Sequence, residues 1–145
     1  MYSILQNLHS YWAFFVLIVL IIAVVNAIKG RFSAAEFQAR DLRLGLFGLI
    51  FSHIQLLLGL VLYFVSPWFD LWSQQGMGIM KDAQARLYLV EHPITNLLAI
   101  FLITLGWSLH KRQNTAHKKF GRIALFYGSG LLLLLSRIPW QQWLS

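Results

Sequence analysis

Four long apolar runs constrain this sequence more than any other feature. They lie at residues 9–28, 44–66, 89–110 and 118–138. Each run can cross a hydrocarbon core of about 30 Å as an α-helix, and lipid offers the backbone no water to bond, so each should be helical. The sequence therefore predicts an all-α protein: a single domain over residues 1–145, built as an up-down transmembrane four-helix bundle with an outer cap at residues 67–88.

The basic residues predict the orientation of this bundle. Of the 12 Lys and Arg, four lie in the link between the first two runs, and five lie in the link between the last two or in the first five residues of the fourth run. Cytoplasmic loops carry such an excess, so both termini are expected outside (N-out, C-out) in a multi-pass protein of the bacterial inner (cytoplasmic) membrane. Topology and the lipid bilayer thus account for the net charge of +7, and a nucleic-acid partner is not expected.

The absence of cysteine makes histidine the only soft nitrogen ligand that the chain offers. Helical counting places His9 and His92 at one depth near the outer surface, on helices that lie diagonally opposite in an up-down bundle. His53 lies near the middle of the membrane and His117 near its inner edge, on the other diagonal. Two facing imidazoles predict a haem b with bis-histidine ligation, an arrangement that suits electron transfer.

A second haem between His53 and His117 is the less favoured extension, because their depths match poorly. Each of these histidines also has a simpler interpretation. His53 would be a neutral ring hydrogen-bonded to a neighbouring polar side chain or to a helix carbonyl. His117, like His110, would be solvated among basic residues at the membrane edge.

Haem propionates would need cations at the membrane surfaces. The candidates are Arg86 and Arg137 on the outer side and Arg43 and Arg122 on the inner side.

Small and polar residues share single faces of the predicted helices, which indicates close helix packing. On the third helix this face holds His92, Asn96, Ala99, Ile103, Gly106 and His110. On the second it holds Gly45, Gly48, Ser52, Gln55 and Gly59, and on the fourth His117, Gly121, Ala124 and Gly128.

An alternative uses the same outer histidines without haem. Glu91 beside His92 could hold copper or zinc, with Met77 and Met80 as thioether ligands for copper. The chain would then be a non-catalytic metal-handling or oxidase-assembly factor. A third interpretation is a structural subunit whose histidines only pack helices.

As an enzyme, the chain would be a component of a membrane oxidoreductase. Its partners would then be a quinol or a respiratory-chain protein, and a homo-oligomer is compatible with the same sequence.

Five segments spread over most of the chain also carry a family resemblance. They are residues 8–10 with Trp12, 44–47, 51–59, 76–81 and 90–92. They resemble small bacterial four-helix membrane proteins labelled cytochrome b-like, and the layout is distantly similar to half of haem A synthase and to cytochrome b561. The resemblance implies haem ligation by His9, His53, His92 and His117. Leu49 and Ile50 stand where the synthase usually has a carboxylate one turn before its histidine, which argues against synthase activity.

Overall fold

The computed structural model describes all 145 residues, and the chain is all-α. The helices are α1 (Tyr2–Arg31), α2 (Ala39–Val65), α3 (Leu71–Gln75), α4 (Ala83–Arg86), α5 (His92–Lys111), α6 (Ala116–Ser136) and α7 (Trp140–Trp143). Two 3₁₀ turns, Pro67–Asp70 and Gly76–Lys81, flank α3, and a π-helical turn, Leu87–Glu91, joins α4 to α5.

Four helical segments are long and apolar enough to cross a membrane: α1, α2, the continuous stretch Ala83–Lys111, and α6. Only 17% to 33% of their most apolar windows is buried inside the protein, so most of this apolar surface faces outward, as lipid contact requires. The chain is a multi-pass membrane protein. Because α1 already begins at Tyr2, His9 is helical, as the predicted ligand position needs.

The four spanning helices form a ring in which α1 contacts α2 and α6, and α5 contacts the same two helices. The predicted four-helix bundle is confirmed, with α1 and α5 on one diagonal. Below, the end of the bundle that carries both termini is called the outer end, and the end that carries the α1–α2 and α5–α6 links is called the inner end.

The inner half of the bundle packs around one aromatic ring. Tyr127 of α6 is fully buried, and its hydroxyl donates to the Gly45 carbonyl of α2 at 2.6 Å. A methyl group at Gly48 or Gly106 would lie 3.1 Å from this ring. The ring fits here because these two positions have no side chain. The predicted small-residue faces of α2 and α5 are therefore confirmed as core faces.

The predicted small-residue face of α6 does not lie in the core. Gly121 approaches Arg31 and Gly128 approaches Val24, so this stripe lies against α1. The core face of α6 is instead formed by larger residues: Phe120, Ile123, Tyr127 and Leu131. The bundle centre needs their volume, whereas the glycines serve the close contact between α1 and α6.

Residues 67–88 form a cap at the outer end. Its own small core consists of Ile79, Ala85 and Leu89. Trp68 packs on it from one side and is itself tilted against the ring of Tyr88, with centroids 5.1 Å apart. The cap is thus folded into short helical turns that are tied to the end of α2 and the beginning of α5.

Gly130 and Gly128 of α6 provide a matched test of the packing between the helices. A methyl group at Gly130 would lie 2.9 Å from the Ala99 carbonyl and 2.8 Å from Ile103, whereas at Gly128 it would meet only Val24 at 3.8 Å. We expect Gly130→Ala to lower the free energy of unfolding by about 1–3 kcal/mol through overpacking. Gly128→Ala should be neutral or stabilising, because alanine is the better helix former. Thermal unfolding in detergent measures both, and equal effects would contradict the packing.

Single cysteines test the orientation without background, because the chain has none. Ser145→Cys lies at the exposed C-terminus and Asn114→Cys in the exposed α5–α6 link. Given the inner excess of basic residues, an impermeant maleimide should label Ser145→Cys in intact cells and Asn114→Cys only after the membrane is permeabilised. The reverse pattern would overturn the N-out, C-out orientation.

Candidate functional site

The outer end brings together the two histidines that the sequence pairs. His9 on α1 and His92 at the beginning of α5 face each other across the diagonal, with ring centroids 6.2 Å apart and ring planes at 74°. Both line a cavity of about 570 Å³, which is within the range of about 300–1,000 Å³ typical of ligand sites. The predicted proximity of this pair is therefore confirmed.

The ring of His92 is held in one tautomer. Its Nδ1 lies 2.8 Å from the carbonyl of Arg137, which follows α6, and a carbonyl can only accept. Nδ1 therefore carries the proton, and Nε2 accepts from the Asn96 amide at 3.0 Å. An imidazole with Nδ1–H bonded to a carbonyl and Nε2 free to accept has the form in which histidine binds metals.

The ring of His9 is held from α2. The amide nitrogen of Gln55 lies 3.0 Å from the His9 carbonyl and 3.2 and 3.3 Å from the two ring nitrogens. Its two hydrogens allow one bond to the carbonyl and one to the ring. One turn further along α2, a methyl group at Gly59 would lie 3.2 Å from the ring, so glycine leaves room for the imidazole.

Two amide oxygens at this site have no hydrogen-bond partner although they are buried: Oε1 of Gln55 and Oδ1 of Asn96. Leaving such an acceptor unpaired costs about 1–3 kcal/mol, and buried polar groups are otherwise almost always satisfied. Both oxygens belong to the side chains that bond the two imidazoles. This concentration of unpaired polar groups beside His9 and His92 is typical of a functional site.

The π-helical turn directly before His92 has a cause in the sequence. Pro93 has no N–H, so the Leu89 carbonyl four residues earlier loses its usual helical donor. The Tyr63 hydroxyl of α2 replaces it at 3.1 Å, and this hydroxyl accepts from the Trp72 indole of the cap at 3.0 Å. Tyr63 and Trp72 thus fix the turn that precedes His92. The sequence analysis missed this role, although Pro93 indicates that a carbonyl in the preceding turn needs another donor.

Glu91 does not point to the histidine pair. Its carboxylate accepts from Arg86 at 2.8 Å and lies 3.5 Å from Arg137. No group of three or more His, Asp or Glu side chains in the chain is placed to hold a metal ion. The copper or zinc arrangement with Glu91 therefore lacks its expected geometry, since such ions usually take three or four protein ligands.

The other predicted pair is not formed. His53 donates from Nδ1 to the Leu49 carbonyl of its own helix at 2.8 Å and faces Thr104 of α5 at 3.5 Å. His117 is exposed and contacts Arg31 at the end of α1. The simpler interpretation of His53, a bond to a helix carbonyl, is the one that the structure contains.

Three further predictions concern single residues. Arg43 and Arg122 are exposed at the inner end and do not line the outer cavity. The solvation expected for His110 is wrong: the residue is 1% exposed, and its Nδ1 donates to the Trp107 carbonyl at 2.5 Å. The outer arginines, Arg86 and Arg137, both contact the carboxylate of Glu91, the residue directly before His92.

No protein-family model matches the chain, and no curated protein or solved structure is detectably similar to it. Functional inference therefore rests on the geometry of the outer cavity.

Two tyrosines of the outer end provide a matched test of the π turn. Tyr63→Phe would leave the Leu89 carbonyl and the Trp72 indole unpaired, and we expect the free energy of unfolding to fall by about 1–3 kcal/mol. Tyr88→Phe is the control, because the Tyr88 ring packs on Trp68 and its hydroxyl bonds no protein group. Chemical unfolding in detergent micelles measures the difference, and an indistinguishable pair of variants would refute this role of Tyr63.

Proposed function

We propose that the chain is a haem b-binding electron-transfer protein of the bacterial inner membrane, with His9 and His92 as the two axial ligands. The observation that carries this proposal is the approach of these two imidazoles across the diagonal, 6.2 Å between ring centroids, at the wall of a large cavity. Two protein ligands are enough for haem, because the macrocycle occupies the remaining positions of the iron.

The residues present fit such a group. The separation of the two rings would let His9 and His92 hold one iron between them. His92 already has the required tautomer. The side chains that contact the ligand nitrogens, Gln55 and Asn96, are uncharged and flexible, and each keeps an unpaired oxygen. Exchanging these contacts for iron would break no ion pair.

Each neighbouring residue has a role in this function. The Arg137 carbonyl orients His92, and Gln55 positions His9. Arg86 and Arg137 both contact Glu91, the residue directly before His92, and together would leave one net positive charge for carboxylates of the bound group. When bound, haem supplies a one-electron redox couple, and occupation of both axial positions favours electron transfer over oxygen chemistry.

A quinol or a respiratory-chain protein is the proposed redox partner. Of the 31 residues that line the cavity, 20 are hydrophobic, and the cavity lies within a bundle whose outer surface is largely apolar. A lipid-soluble carrier such as a quinol can approach such a surface from the membrane.

An absorption spectrum tests this proposal. The protein is expressed with haem supplementation, purified in mild detergent, and measured as dithionite-reduced minus oxidised. We expect a sharp low-spin haem b spectrum and one haem per chain. His92→Ala should lose this spectrum, because half of the axial ligation is removed. A short-chain quinol should reduce the wild-type haem if the proposed partner is right.

His117→Ala is the matched control, because His117 is an exposed histidine at the other end of the bundle. It should keep the full haem content. Unchanged haem content and potential in both His9→Ala and His92→Ala would refute the ligand pair. Absence of any haem band in folded, haem-supplemented protein would refute the function itself.

A further inference from the structure

A second pocket lies at the inner end, where α2 begins and α5 ends. Its volume is about 370 Å³, and its lining residues are Phe37, Gln38, Ala39, Leu42, His110, Lys111 and Lys119. None of them takes part in the proposed haem site. The pocket therefore raises a separate question, which is what kind of ligand its chemistry would bind.

The pocket carries two cations without carboxylate partners. The ammonium group of Lys119 lies 5.4 Å above the ring of Phe37, and that of Lys111 lies 5.6 Å from the ring of Trp107. Neither lysine forms an ion pair. The nearby carboxylate of Asp41 is buried and accepts instead from the Asn26 amide and from a backbone N–H, each at 2.7 Å. The two lysines thus remain available to an anion.

His110 adds a buried polar group to the same pocket. It is 1% exposed, and its Nδ1 donates to the Trp107 carbonyl, so in the neutral ring Nε2 is an acceptor. Nε2 has no protein hydrogen-bond partner. The beginning of α2 also lies here, but the carboxylate of Asp41 in its first turn already caps that N-terminus, so the two lysines carry the attraction for an anion. The pocket therefore combines the positive charge of two lysines with one ring nitrogen that can accept a hydrogen bond.

The apolar part of the lining points to a lipid. Phe37 and Leu42 line the pocket together with the charged groups, and Leu42 is 42% exposed on α2. From Leu42 the exposed apolar surface of α2 continues along the membrane span, past Phe47 and Ile50. A soluble phosphate would leave this apolar edge unused, whereas an acyl chain would cover it.

We propose that this pocket binds one anionic phospholipid with a hydroxylated headgroup, of the kind that phosphatidylglycerol represents. Lys111 and Lys119 hold the phosphate, a headgroup hydroxyl donates to Nε2 of His110, and the acyl chains lie along α2 from Leu42. This site is independent of haem binding.

Native mass spectrometry of the full chain tests this proposal. The protein is exchanged into micelles doped with phosphatidylglycerol or with phosphatidylcholine, and the lipids retained after mild activation are counted. We expect one retained phosphatidylglycerol and no matching retention of phosphatidylcholine. Lys119→Ala should weaken retention about fivefold, the equivalent of about 1 kcal/mol for one basic residue at the membrane surface.

Lys118→Ala is the matched control, because Lys118 is the neighbouring residue and does not line the pocket. It should leave retention unchanged, and an equal loss in both variants would reduce the site to general attraction by basic loops. Inorganic phosphate that displaces the lipid or itself stabilises the protein would show a soluble-anion site and overturn the lipid assignment.

A third comparison isolates His110. Wild-type protein should prefer phosphatidylglycerol over phosphatidylmethanol, an anionic lipid without headgroup hydroxyls, and His110→Leu should lose this preference while it still binds both. Circular dichroism verifies that the variant is folded. A preference that persists in folded His110→Leu would refute the hydroxyl contact.

Discussion

Close packing of four helices around Tyr127 is the constraint on which the rest of the bundle depends. Lipid is as apolar as leucine, so the hydrophobic effect does not drive these helices together, and contact must come from fit and from hydrogen bonds. The glycines at positions 48 and 106 let α2 and α5 approach one buried ring, and its hydroxyl bonds the Gly45 carbonyl. Once the inner half is fixed in this way, the outer ends have a defined spacing, and a cavity forms between them.

The outer half is held by different forces. Its helices are joined through polar contacts, from Gln55 to His9 and from His92 to the carbonyl of Arg137. Interhelical hydrogen bonds in membranes contribute on average only about 0.6 kcal/mol, whereas a disrupted core contact costs several times more. The contacts between helices are therefore weaker at the outer end than at the inner end, so the proposed haem site lies in the less tightly held half of the bundle.

The sequence predicted those features that depend on periodicity and depth. Helical counting was enough to place His9 and His92 together, because both counts run from the same membrane edge along helices of regular rise. It failed for α6, since periodicity defines a face but not the neighbour that the face meets. There the large residues, with Phe120 and Tyr127 among them, fill the centre, and the glycines meet α1.

The other differences between prediction and structure arise because histidine rings bond backbone carbonyls of their own helices. The proximity of His110 to basic residues suggested solvation, but its ring bonds the Trp107 carbonyl and packs against Phe37. His53 likewise takes a carbonyl of its own helix. Both bonds depend on side-chain rotamers, and the contact of His110 with Phe37 also depends on the position of the α1–α2 link; a hydropathy pattern predicts neither.

The separation of the two ends limits how the proposed electron carrier can work. The one facing pair of histidines lies at the outer end, while His53 and His117 bond other groups and do not meet. The single haem that we propose there would give no chain of cofactors across the bundle. Electrons would enter and leave on the same side, so both partners must reach the outer end, one from the membrane and the other at the capped surface. The protein would then relay electrons along one face of the membrane rather than through it.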